Sequence, residues 1–202
     1  MSTLLSFVAN QYFNMMALIF PMLYLIIAGN KLIAGQVDKG SMAYNLSTPT
    51  TRTQITGTSA LFLVGSLAAM FGLIAAVGCG VAATAQPGGL DYGKFLLLTL
   101  GAFLLQFAFS GITFLSSCIF NHSGKSLALG AGFPLAFFAC HLLSQMSKSL
   151  TFFKYFSLIT LFDANAIIRG EGFIIKLTVL AVAGIILYIA GIKVFKEKDL
   201  PL

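Results

Sequence analysis

The chain has 202 residues, of which 58% are hydrophobic and 9% charged, and its mean hydropathy is +0.94. A soluble domain carries about 25% charged residues, so a water-facing surface is excluded, whereas a lipid-facing one is not. The formal charge is +6, but the basic residues punctuate long apolar runs, which assigns them to membrane flanks rather than to nucleic-acid binding.

Five apolar stretches reach the ~20 residues a bilayer demands. They cover residues 12–33, 56–84, 95–120, 127–146 and 173–195. No Asp, Glu, Lys or Arg lies deep within them; Lys31 and Lys193 sit near ends, where a long side chain reaches the interface. The expected fold class is therefore all-α, a polytopic transmembrane helical bundle forming one domain over residues 1–202. Gln86-Pro87-Gly88-Gly89 and Asn121-His122-Ser123-Gly124 mark tight turns. Residues 147–172 carry Phe152, Phe153, Tyr155, Phe156 and Phe162, interrupted by Lys154, Asp163, Arg169 and Glu171. That mixture predicts an interfacial or re-entrant helical segment rather than a span.

An odd number of spans puts the termini on opposite faces. Three lysines lie in the closing ten residues, Lys193, Lys196 and Lys198, and no charge lies in the first thirty. The positive-inside rule then places the N-terminus outside and the C-terminus in the cytoplasm. Residues 34–55 become a cytoplasmic loop and residues 147–172 an external one. Gly65, Gly72, Gly78, Gly80, Gly130 and Gly132 are expected at close helix contacts.

Within the loop, Asp38-Lys39-Gly40-Ser41 precedes Met42, Tyr44 and Leu46, then Pro49 and Arg52. Ser41 is suited to open a short helix and Pro49 to end it. Met42, Ala43 and Leu46 would share one apolar face of that helix. Two readings are open from these residues alone: a helix resting on headgroups, or a dock for another protein.

The run NKLIAGQVDKGSMAYNLSTPTTRTQI resembles the region between the second and third spans of ABC-2-type permeases. The matching positions are Asp38, Gly40-Ser41, Leu46, Pro49 and Arg52. The closing Phe195, Asp199, Leu200, Pro201 and Leu202 are similar to the same family's tail, and LFDANAIIRG to its external segment before the last span. The resemblance implies a permease subunit paired with a second, in a homo- or heterodimer, each docked on a separate ATP-binding subunit. It also implies that residues Asp38, Lys39, Gly40, Ser41, Met42, Leu46, Pro49 and Arg52 form a coupling helix through which ATP-driven closure reaches the spans. Family members commonly have six spans, and this sequence is expected to lack the counterpart of the first.

No catalytic or metal site is expected in the chain. Gly35 and Gly40 have the spacing of a phosphate-binding loop, but Ser41-Met42 stands where Lys-Ser/Thr is required; Gly124-Lys125-Ser126 ends correctly, but Ile119 replaces the first glycine. ATP would therefore be used by the partner, with no cofactor bound here. Cys79, Cys118 and Cys140 lie in apolar runs, and His122 and His141 are far apart in sequence, which is not a metal-ligand pattern. Ser110, Thr113 and Ser117 recur on one helical stripe. They fit the lining of a translocation path or hydrogen bonds to a neighbouring helix. The competing function is an autonomous small channel or membrane scaffold without an ATPase partner.

Overall fold

The computed structural model describes residues 9–46, 50–85, 91–146, 157–170 and 172–198, and every element among them is helical. A π-helical stretch, Ala9–Met16, runs into α1 (Ala17–Leu32), followed by two short helices, α2 (Ala34–Asp38) and α3 (Ser41–Leu46). The long helices α4 (Arg52–Ala85), α5 (Tyr92–Ile119) and α6 (Ser123–Met146) come next. A single 3-10 turn (Leu158–Leu161) and α7 (Ala164–Arg169) lead to α8 (Phe173–Glu197).

Helices α4, α5, α6 and α8 are each long and apolar enough to cross a membrane. The 28 residues of α5 span about 42 Å at ~1.5 Å per residue, more than the ~30 Å of hydrocarbon. The 16 residues of α1 give only about 24 Å. The expected first span thus combines two helical forms, with the π-helical stretch carrying the chain further. Of the expected external segment, residues 147–156 and 171 lie outside the described residues; the rest forms the 3-10 turn and α7.

Helix α5 is the most buried of the four long helices. Its tightest neighbour is α8. A Cβ on Gly111 would stand 2.9 Å from the Leu187 Cβ, and one on Gly184 would stand 2.4 Å from the Phe107 ring. Tyr188 stacks on Phe107 with centroids 5.3 Å apart and tilts against Phe114 at 4.9 Å. Of the glycines expected at close contacts, Gly78 meets Phe95 and Gly130 meets Thr113, whereas Gly65, Gly72, Gly80 and Gly132 face open space. The opposite faces of α4 and α8 carry Leu61 and Ile175, 75% and 76% exposed. A surface that apolar needs lipid against it.

The polar residues of α5 meet backbone defects in its neighbours. Pro21 has no N–H to give the Ala17 carbonyl one turn earlier. The Gln106 Nε2 donates to that carbonyl at 3.1 Å and to Leu18 O at 2.7 Å. Pro134 likewise frees the Gly130 carbonyl of α6, and the Thr113 hydroxyl donates to it at 3.2 Å, shared with Phe109 O at 3.1 Å. Helix α1 breaks at Ile33, with φ −125° and ψ −70°, and the Ala34 N–H beyond the break donates to Ser117 Oγ at 2.9 Å. In hydrocarbon an unpaired peptide group costs several kcal/mol, on the order of 1–3 in mutational terms, so these side chains complete ladders that their own helices do not need.

Candidate coupling site

Asp38, Arg52, His122 and Lys198 belong to four chain segments and meet at one end of the bundle. Asp91, Asp163 and Lys176 lie at the other. Each turn is built from local rules. Helix α2 closes with Gly40 at φ +72°, a left-handed position where a Cβ would be strained, and the Gly40 N–H returns to Val37 O at 3.0 Å. Ser41 opens α3, but its hydroxyl donates back to Gln36 O at 3.1 Å. Thr51 and Gln54 form a reciprocal cap at the start of α4: Gln54 Oε1 accepts from the Thr51 N–H at 2.8 Å, and Thr51 Oγ1 from the Gln54 N–H at 3.2 Å.

Asp38 bridges this turn to α6. One carboxylate oxygen lies 3.1 Å from His122 Nδ1, and the other accepts from the Ser123 N–H at 3.2 Å. That N–H is one of the donors a helix start leaves unpaired, and a carboxylate there also meets the positive end of the helix dipole. The His122 imidazole and then the Ser123 N–H hold Asp38 below the usual carboxylate range. Asn30 reinforces the joint from α1, donating to Ser123 Oγ at 2.7 Å.

Arg52 bridges the turn to α8. Its guanidinium donates to the Lys198 carbonyl at 2.6 Å, and the Lys198 ammonium donates to the Cys118 carbonyl at 3.0 Å in the last turn of α5. A cation on the closing carbonyls of a helix suits the negative end of its dipole. Partial burial pushes the Lys198 ammonium below the ordinary lysine range. The result is a collar: the ends of α1, α2, α4, α5, α6 and α8 at this level are each bonded to another helix.

The eight residues expected to form the coupling helix divide sharply. Asp38 is exposed but tied to His122 and Ser123, and Arg52 is half-buried on the Lys198 carbonyl. Lys39, Gly40 and Ser41 are exposed. Met42 is fully buried, which corrects the expectation that its side chain lies on an outward docking face; the chain's own core covers it. Leu46 ends α3, with its side chain outside what is described, and Pro49 lies outside the described residues. Tyr44, named in the same stretch but not among the eight, is 77% exposed beside them. Of the tail positions, Phe195 is fully buried in α8, and residues 199–202 lie outside the described residues.

Ser110, Thr113 and Ser117 are all buried, each against a different neighbour. Tyr188 O–H donates to Ser110 Oγ at 2.9 Å, Thr113 bonds to α6, and Ser117 serves the α1–α2 break. The bonding roles of Gln106, Lys198 and Thr51 were not anticipated from the sequence. A signal existed for two of them: a proline inside an apolar run calls for a donor nearby, and Thr-x-x-Gln is a capping pattern.

No curated protein and no solved structure matched the chain. A sequence model of the family described as "ABC-2 family transporter protein" matches residues 1–200. With its all-helical bundle and apolar helices of spanning length, the chain belongs to that family and is a multi-pass membrane permease of the ABC-2 type.

Proposed function

We propose that the chain is the membrane-spanning subunit of an ABC exporter, paired with a second permease subunit, and that the 38–52 turn is its contact with a separate ATP-binding subunit. The collar is the observation that carries this reading. A small exposed turn, Lys39 to Ser41 with Tyr44, stands on a base bonded through Asp38 to α6 and through Arg52 to α8 and α5. A push on such a turn is delivered to the long helices together rather than absorbed by a loose loop. Ser110, Thr113 and Ser117 then border the translocation path by holding its helices in place. In this reading the collar faces the cytoplasm, the N-terminus lies outside, and ATP is bound and hydrolysed by the partner.

The experiment is co-purification with the ATP-binding subunit. Asp38 and Arg52 are poor probes, because both hold the fold. Lys39→Glu with Tyr44→Ala changes exposed positions only, and it is expected to reduce the co-purified ATPase about tenfold or more, as loss of an interface aromatic and a charge does. Unchanged recovery would overturn the assignment of the dock. A cysteine at Thr50 that labels with an impermeant reagent in intact cells would overturn the orientation.

A further inference from the structure

Beside the collar, α1, α4 and α6 enclose a cleft of about 900 Å³. Its outer end is polar: Lys31, Lys39 and Ser123 line it, and no carboxylate is among the described lining residues. Both lysines are exposed. Asp38, next to Lys39 in the chain, has its oxygens on His122 and the Ser123 N–H, and the described rim is net positive. The inner end is apolar, formed by Ile27, Phe62 and Leu127. Tyr24, also on the wall, lies seven residues inward of Lys31, about 10 Å along the helix.

We infer that this cleft is a binding site for an anionic phospholipid, with the phosphate between Lys31 and Lys39 and an acyl chain against Ile27, Phe62 and Leu127. Position, charge and hydration all favour that occupant. The cleft opens where the helices pass from hydrocarbon to headgroup level, so its polar and apolar ends match the two halves of a lipid. Charge complementarity selects a phosphate, since lysines near an anionic leaflet each attract it. Water suits the outer end but finds no partners on the apolar wall, where a chain displaces it. The site shares Lys39 and Ser41 with the exposed turn but takes its apolar wall from α1, α4 and α6, and lipid binding is read with no ATPase present.

Native mass spectrometry of the full chain in detergent tests this with three probes: dioleoylphosphatidylglycerol, dioleoylglycerol and inorganic phosphate. The wild type is expected to retain the phosphatidylglycerol, and Lys31→Gln with Lys39→Gln to bind it about thirtyfold more weakly, or about fivefold per lysine. Lys31→Arg with Lys39→Arg restores binding. Leu127→Trp, which fills the inner end from an exposed position, weakens it while both lysines remain. Retention of the lipid by the double Gln variant overturns the inference, as does equal retention of dioleoylglycerol. Displacement of the lipid by inorganic phosphate at equal concentration identifies a free-anion site and also overturns it. A stable dimer that excludes the lipid and dissociates on Leu127→Trp would make the cleft a subunit contact, with the same consequence. Unaltered elution and helicity of each variant establish that the fold is intact.

Discussion

Gln106→Leu removes the donor that α5 extends to α1. The change keeps the volume of a side chain with no exposed surface, but it leaves the Ala17 carbonyl with neither the Gln106 amide nor a helical N–H, because residue 21 is proline. A buried carbonyl without a partner costs about 1–3 kcal/mol, and measured hydrogen bonds between membrane helices average about 0.6 and reach about 1.7. Gln106 Oε1 is itself buried and unbonded, so Leu recovers part of the loss, and the single substitution understates the bond. The informative quantity is the coupling with Pro21→Ala, which gives residue 21 an N–H for Ala17. In that background Gln106→Leu is expected to cost about 1 kcal/mol less, close to a fivefold change in the unfolding constant. Melting can be followed by fluorogenic thiol labelling of Cys118, which is fully buried, after Cys79 and Cys140 are replaced by alanine. About 1 kcal/mol corresponds to roughly 2–4 °C for a chain of this size. A coupling near zero would refute the claim that Gln106 serves the carbonyl that Pro21 frees.

Gly111→Ala is expected to lower the melting temperature by several degrees, since its Cβ meets the Leu187 Cβ at 2.9 Å and the Gly184 carbonyl at 3.3 Å, and overpacking costs about 1–3 kcal/mol. Gly132→Ala, with nothing within 4 Å, serves as the control and should be neutral or slightly stabilising, because alanine is the better helix former. Gly40→Ala forces a Cβ into the left-handed region at φ +72° and should cost about 1 kcal/mol in the same assay. Asp38 has a folded pKa below its unfolded one. Its contribution is therefore present above the ordinary value of about 3.9 and is lost as pH falls below that toward the folded value. Asp38→Asn should flatten that acid limb of the stability profile; a limb of unchanged steepness would show that other carboxylates cause it.

The spans were legible because lipid imposes a length and an apolar composition that no local propensity can imitate. The four long helices accordingly begin and end within a few residues of the apolar runs. The start of a short helix at Ser41 was legible as a local matter, whereas α2 and the left-handed Gly40 that closes it were not anticipated. Pairings across the bundle were not. Lys198 reaches Cys118 O over a separation of 80 residues, and Asp163 meets Lys176 at 3.2 Å, and nothing in either neighbourhood announces the partner. The glycines illustrate the same limit. Gly65 and Gly72 stand in a small-residue-rich stretch yet face open space, while Gly184 and Gly191, in a run of large aliphatics, are pressed by Phe107 and Phe114. Small size permits close approach, but only the neighbour's side chain decides whether the approach happens. Met42 misled for a related reason: the helical pattern identified an apolar face without saying whether the chain's own core or an outside protein would cover it.

Bending stiffness is unevenly distributed along this molecule. Helices α4, α5 and α8 keep unbroken ladders, whereas α1 and α6 each lack one rung, at Pro21 and Pro134. Those two helices are also the pair clamped together through Asn30, Asp38 and Ser123. Under the coupling reading proposed above, a push shared by the helices is expected to bend α1 and α6 at these two joints, while α5, whose Gln106 and Thr113 bond the freed carbonyl at each joint, stays straight.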